Sequence, residues 1–150
     1  MISLAQHFLG TPDRVQVSGS LALTGVDLEA GILLGYDDGR AASLLISLRN
    51  PTPGSARIHG ERGWIEVPPR FHHPHRIVLH RRGREPETFV RPPNGTGYSH
   101  ELVEVSECIR AGRTESAIMP LDDTLAVQRI LNQACETLGV FHTEDSSVEV

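Results

Sequence analysis

The hydrophobic pattern changes along the chain from helical to alternating and back to helical. Residues 2–9 set apolar side chains at helical spacing, and Gly10 and Pro12 then form a typical helix stop. Apolar and polar residues next alternate in seven short segments, which predicts strands over residues 14–24, 28–36, 40–48, 56–59, 64–67, 76–81 and 87–91. Residues 98–111 and 121–138 return to helical spacing, and a glycine follows each range.

The links between the predicted strands are short, so neighbouring strands are expected to pair antiparallel. Asp37-Asp38-Gly39 is a strong hairpin signal, and residues 60–63 supply a second tight turn. The order predicts the α+β class, with one large, mostly antiparallel sheet that carries helices on one face. A single domain is expected over residues 1–142, followed by a loose acidic tail at 143–150.

The second face of the first three strands is small and almost uncharged, with Glu29 as its one charged residue. A face of this kind suits contact with another sheet or subunit, although a Ser/Thr-rich face open to water has the same composition. We favour the first interpretation, which predicts a dimer or higher oligomer. The interface candidates are Gln16, Ser18, Ser20, Ala22, Leu33 and Leu45.

Composition narrows the possible functions. The 150 residues carry a net charge of −5, which argues against a nucleic-acid partner. All fourteen cationic side chains are arginine, so this chain offers no lysine for a Schiff base or a phosphate loop. No apolar stretch is long enough for a membrane span, and two cysteines without a recognisable leader predict a cytoplasmic location.

Few side chains suggest chemistry by themselves. His72, His73 and His75 form the densest group of potential metal ligands, but a proline-bounded loop is expected to point them apart, so we predict no metal site. Cys108 and Cys135 are expected to be small core residues. Three residues beside the Gly95–Gly97 turn are candidates for a substrate cleft, and the alternative for the first of them is a core residue that begins its helix: Tyr98, His100 and Glu101.

Several segments together resemble one enzyme family. Residues 56–67, Ala-Arg-Ile-His-Gly-Glu-Arg-Gly-Trp-Ile-Glu-Val, are similar to the A-x-I-x-G-x-x-G-x-I-x-I hairpin of the Gfo/Idh/MocA oxidoreductases. Residues 97–101, 107–116 and 119–125 resemble the closing helices of that family. The likeness is strongest to the branch of the dihydrodiol dehydrogenases and glucose–fructose oxidoreductases, and it extends over residues 2 to about 142.

The resemblance implies a two-domain enzyme of which this chain is the second part. The family joins an N-terminal Rossmann domain that binds NAD or NADP to a C-terminal α+β domain, whose sheet forms one wall of the substrate cleft and usually the oligomer contact. The glycine fingerprint and the E-K-P lysine of the first domain do not occur in this sequence. The catalytic Tyr or His of the family would precede Ile2, so no catalytic residue and no cofactor are expected on this chain.

Two functional hypotheses follow. The first is the substrate-cleft and oligomerisation domain of an NAD(P)-dependent oxidoreductase that acts on a sugar, polyol or diol, with this fragment inactive alone. The second is a stand-alone dimeric β-sheet module that binds a ligand or a protein without catalysis. Residues 2–9 bear on the choice, because they are either a frayed terminal helix or the back half of a longer one.

Overall fold

The computed structural model describes residues 1–92, 95 and 97–140 and divides the chain into two compact units. The first unit contains Met1–Thr52 and the chain from Ala117 onward, and the second contains Pro53–Ser116. The elements in chain order are α1 (Ile2–Leu9), β1 (Arg14–Leu21), β2 (Asp27–Gly35), β3 (Ala41–Ser47), β4 (Ala56–Gly60), β5 (Gly63–Val67), β6 (Arg76–Arg81), β7 (Glu87–Val90), α2 (Ser99–Arg110) and α3 (Leu121–Leu138).

The first unit is a three-stranded antiparallel sheet, in the order β1-β2-β3, with α1 and α3 packed on one face. Alternating residues of β2 supply the centre of the core, where the Leu34 side chain is completely buried between the sheet and the two helices. Tyr36 extends this core, and its hydroxyl donates a hydrogen bond to the Gly10 carbonyl at 3.1 Å, just past the end of α1.

Gln6 connects the two helices of the first unit through a buried amide. Its Nε2 donates to Thr11 Oγ1 at 3.1 Å and to Asp123 Oδ1 at 2.9 Å, in the first turn of α3. The α3 helix ends in a Schellman arrangement in which Gly139 adopts the left-handed conformation. The hydrogen bonds of Gln6 therefore add directional contacts to an otherwise apolar packing.

The second unit holds a four-stranded antiparallel sheet, in the order β4-β5-β6-β7, and the helix α2. Gly63 begins β5 where the two hairpins of this sheet meet; a Cβ at this position would lie 2.0 Å from the His80 carbonyl oxygen, so only glycine fits. A Schellman arrangement ends α2, because the Arg113 and Gly112 amides donate to the Cys108 and Ile109 carbonyls.

The α+β class predicted from the sequence is confirmed, and the described residues form seven strands and three helices. Two details differ. The strands form two hydrogen-bonded sheets rather than one, and the segment between β3 and β4 contains Pro51 and Pro53, which cannot donate a backbone hydrogen bond. The first strand ends at Leu21, earlier than expected, because Ala22 and Gly25 form a turn that leads directly into β2.

Candidate functional site

The outer face of the three-stranded sheet is the side away from α1 and α3. Register places Ser18, Gly31 and Leu45 in one row across β1, β2 and β3, and Gln16, Leu33 and Ser43 in the next. The third row is Ser20, Glu29 and Ser47. Five of the six predicted interface residues thus lie together on this face, whereas Ala22 lies in the turn that follows β1.

The one charge of the outer face is held by neighbouring polar groups. Ser47 Oγ donates to Glu29 Oε1 at 3.0 Å, and Asn50 Nδ2 donates to the same oxygen at 2.6 Å. Two leucines in the middle of the face stay open to water, Leu33 at 43% and Leu45 at 66% exposure. The outer face therefore combines small side chains, two exposed leucines and one satisfied carboxylate.

The predicted cleft residues lie at the start of α2. Tyr98 is the N-cap of this helix and is 71% exposed, so it is not a core residue. His100 and Glu101 occupy the first turn and are also exposed. None of the three side chains makes a hydrogen bond or ion pair with the described part of the chain, which leaves all of them available to a ligand or another surface.

The histidine loop lies beside the turn that leads into α2. A Cβ placed on Gly97 would lie 3.7 Å from Cδ2 of His73, so the imidazole packs against that glycine, next to Tyr98. The His73 and His75 rings meet edge to face, with centroids 5.4 Å apart. Among the described residues, no three His, Cys, Asp or Glu side chains are grouped so that they could hold a metal ion.

Cys108 is buried, as the sequence predicted, and it belongs to a small polar network on α2. Its Sγ lies 3.4 Å from Glu104 Oε1, which also accepts a 2.6 Å hydrogen bond from Ser116 Oγ. Burial, with the bond to Glu104, raises the pKa of the Cys108 thiol, while the bonds from Ser116 and Cys108 lower the pKa of Glu104. A thiol held neutral in this way is a structural residue and a poor nucleophile.

The four-stranded sheet contains a cluster that the sequence analysis did not single out. The His80 ring stacks on Trp64 with centroids 3.7 Å apart, and the Arg57 guanidinium lies 4.8 Å from the Trp64 ring centre. Glu66 Oε2 is 3.5 Å from His80 Nε2. The alternating pattern of the sequence indicated part of this cluster, because residues two apart on β4 and on β5 lie on one face of the sheet. The pairing of β5 with β6 could not be predicted from the spacing of residues alone.

The described residues do not form a complete catalytic arrangement. Tyr98, His100 and Glu101 can each donate or accept a hydrogen bond, yet no base is hydrogen-bonded to a nucleophile beside them, as acid–base or covalent catalysis would require. None of the described helices is long and apolar enough to cross a membrane. What this arrangement offers chemically is a set of binding surfaces.

Comparison with known proteins shows which protein family this chain resembles. Residues 1–66, which run from α1 to β5, match the family model of the GFO/IDH/MocA C-terminal domain. The trans-1,2-dihydrobenzene-1,2-diol dehydrogenase of Xenopus tropicalis is 35% identical over 135 residues, which cover 86% of this chain and 41% of that protein. The chain is similar to the C-terminal part of the Gfo/Idh/MocA proteins. It corresponds to the C-terminal domain, and the resemblance found in the sequence is confirmed.

Further relatives agree with this assignment of a Gfo/Idh/MocA C-terminal domain. The human trans-1,2-dihydrobenzene-1,2-diol dehydrogenase is 29% identical over 142 residues, covering 89% of this chain and 42% of the relative. In fold, the chain is similar to aldose-aldose oxidoreductase from Caulobacter crescentus, with a TM-score of 0.74, 20% identity, and coverage of 92% of this chain and 42% of that one. The chain thus spans about two fifths of the length of the relatives it matches.

Proposed function

We propose that this domain forms the substrate-facing wall and the oligomer contact of an NAD(P)-dependent oxidoreductase that acts on a sugar, polyol or diol. The observation that carries the proposal is the 35% identity, over most of this chain, to a diol dehydrogenase. In the complete enzyme a hydride passes between the nicotinamide and a hydroxyl-bearing or carbonyl carbon, and the protein positions the two. The domain alone is inactive, and the complete protein is a dimer or higher oligomer.

The names of the relatives support the proposed class of substrate. They include a dehydrogenase of a cyclic diol, an aldose-aldose oxidoreductase, and a UDP-N-acetylglucosamine 3-dehydrogenase from Acidithiobacillus ferrooxidans that has a TM-score of 0.70. Each acts on a molecule that carries neighbouring oxygen functions. Exposed donors and acceptors such as Tyr98, His100 and Glu101 suit hydroxyl groups of this kind.

The described residues of this domain do not fit the dinucleotide itself. Dinucleotides are held at a helix N-terminus that follows a parallel strand and a glycine-rich turn. Both sheets described here are antiparallel, and no parallel strand leads into the start of α2 or α3. We therefore propose that NAD or NADP binds to the N-terminal domain of the complete protein.

A pair of measurements tests the proposed function. Calorimetry with NAD⁺ and with NADP⁺ on the 150-residue chain is expected to show no binding. A chimera that joins the unmatched N-terminal part of the Xenopus tropicalis relative to this chain is expected to oxidise a cyclic diol with one of the two cofactors. Micromolar cofactor binding by the chain alone would overturn the proposal, as would a folded, cofactor-binding chimera without diol turnover.

Tyr98 provides the residue-level test of the cleft. In the chimera, Tyr98→Phe removes one hydroxyl, and we expect kcat/KM to fall about tenfold, which corresponds to one lost hydrogen bond to the substrate. Glu107→Gln is the matched control, because this exposed residue lies on a different side of α2. Equal kinetics for Tyr98→Phe and the unaltered chimera would remove Tyr98 from the proposed cleft.

The second candidate is a stand-alone dimeric β-sheet module that binds a ligand or a protein without catalysis. The small outer face with its two exposed leucines favours it, since such a face suits association regardless of any enzyme activity. The nucleotide sequence upstream of codon 1 discriminates the two candidates. An in-frame Rossmann segment that ends near a D-x-G-x-Y motif supports the oxidoreductase, whereas an independent translation start at Met1 supports the module.

A further inference from the structure

The α2 helix carries an apolar stripe that nothing in the second unit covers. We define the α2 stripe as Leu102, Val105 and Ile109, which follow one another at helical spacing and lie on one side of the helix. Leu102 is 66% exposed and Ile109 is 70% exposed. Tyr98 lies at the N-terminal end of the same side. Three large aliphatic side chains in one line form a surface that proteins use for docking a helix into a groove.

The polar network around Glu104 lies on a different side of α2 from the stripe. Cys108 and Glu104 face the segment that follows the helix, where Ser116 donates its hydrogen bond. The Schellman arrangement at Gly112 turns the chain back toward this side. The helix is therefore bonded to the segment that follows it, and the α2 stripe lies on a different side of the helix from these contacts.

The size of the α2 stripe argues against a second copy of this chain as its cover. A helix of 12 residues is about 18 Å long, and one side of it buries only a few hundred Å². A stable interface between separate molecules needs roughly 800 Å² from each partner. A domain on the same polypeptide needs less, because the tether supplies a high effective concentration and contacts between domains begin at smaller areas.

We propose that the α2 stripe docks into an apolar groove on the N-terminal domain of the complete protein and thereby sets Tyr98 at the edge of the cleft between the two domains. The relatives are more than twice as long as the part they share with this chain, and the matched family model describes a C-terminal domain. The inference rests on the proposed function, since that function supplies the second domain. It adds which element of this chain makes the contact.

Side-chain footprinting with hydroxyl radicals tests the docking in the chimera described above. Modification of Leu102 and Ile109 is expected to be about fivefold slower in the chimera than in the 150-residue chain, because the core of an interface excludes water. Val103 is the internal reference. It is 51% exposed, lies on a different side of the same helix and is expected to react equally in both proteins.

Paired variants separate docking from loss of fold. Leu102→Glu in the chimera is expected to restore modification of Ile109 to the rate of the isolated chain, whereas Val103→Glu leaves the protection in place. Both positions are exposed, so circular dichroism of each variant in the 150-residue chain is expected to be unchanged. Absence of protection in the chimera overturns the proposal. Protection in the isolated chain that is lost on dilution also overturns it, because a second copy would then be the cover.

The footprinting experiment tests the docking and the enzyme assay tests the proposed function, so one can be contradicted without the other. A chimera that protects the α2 stripe without oxidising a diol would contradict the proposed function and support the docking. A chimera that oxidises the diol while Leu102 and Ile109 react at the rate of the isolated chain would support the function and contradict the docking.

Discussion

Glu104 organises the end of α2 through bonds that depend on its charge. Its carboxylate accepts from Ser116 and from Cys108, and these bonds lower its pKa below the ordinary value for glutamate. An acidic group whose pKa is lower in the folded protein than in the unfolded chain stabilises the folded state at pH values above the unfolded pKa. The contribution is lost as the pH falls through the folded value. One side chain therefore makes the end of this helix sensitive to acid.

Glu104→Gln is expected to speed amide exchange at the C-terminal end of α2 severalfold at neutral pH. Because the amide cannot titrate, the difference from the unaltered chain should disappear as the pH falls through the lowered pKa of Glu104, after correction for intrinsic exchange rates. Hydrogen exchange with mass spectrometry measures this for the segment 104–116. Glu107→Gln on the same helix is the control and should exchange normally at both pH values. A difference that persists undiminished in acid would contradict the role given to the Glu104 charge.

Helices and strands were largely readable from the sequence, because periodicity and turn residues are local. The ends of α1, α2 and α3 each have a glycine with positive φ at or just beyond the last turn, where the sequence predicted a stop. The sequence could not show which elements, distant along the chain, pack against each other. The stripe on α2 has the spacing of a core face, yet it is exposed. Periodicity shows that one face of a helix is apolar, but it does not show what packs against that face.

The same limit applied to the candidate site. Alternation correctly grouped Ser18, Leu33 and Leu45 on one face, because side chains two apart along a strand point the same way. The stack of His80 on Trp64 escaped notice because it depends on the register between β5 and β6, which only the folded sheet defines.

Two glycines of the three-stranded sheet make a matched pair for testing how closely its elements pack. A Cβ on Gly19 would lie 2.2 Å from the Glu29 carbonyl oxygen and 3.0 Å from Cδ2 of Leu138, whereas a Cβ on Gly31 would meet nothing closer than 3.8 Å. Gly19→Ala is expected to cost about 3 kcal/mol of unfolding free energy, since backbone and α3 must both shift. Gly31→Ala should change it by less than about 0.5 kcal/mol.

Urea unfolding followed by circular dichroism measures both variants. The comparison is informative because the two substitutions add the same methyl group to adjacent strands of one sheet. Equal stability of the two variants would show that β1 and β2 can move apart easily, contrary to the packing described for the first unit.

At the scale of the whole molecule, the outer face predicts association of the complete chain. Ser18→Arg is expected to dissociate the proposed oligomer, because Ser18 lies opposite Gly31 and an arginine there would be buried without a partner. The penalty of about 3 kcal/mol or more weakens association by at least a hundredfold. Ser20→Arg is expected to be milder, since Ser20 lies opposite Glu29, which can pair with the guanidinium.

Sedimentation velocity over a range of concentrations gives the oligomeric state of each variant. Ser3→Arg makes the same chemical change on the exposed side of α1 and should leave association intact. A wild-type chain that stays monomeric at high micromolar concentration would exclude the outer face as an oligomer contact for this chain. If Ser18→Arg associates as tightly as the wild type, another surface is responsible.

Trp64 is the single tryptophan of the chain, and it lies in the second unit between side chains from both neighbouring strands. Its fluorescence emission therefore reports on unfolding of the β4-β5-β6 ladder, and the three-stranded unit contains no tryptophan that would add to this signal. Far-ultraviolet dichroism, in contrast, is dominated by α1, α2 and α3. Because α2 belongs to the second unit and α1 and α3 to the first, recording the two signals in one denaturation experiment compares loss of the β4-β5-β6 ladder with loss of the helices of both units, without any added label.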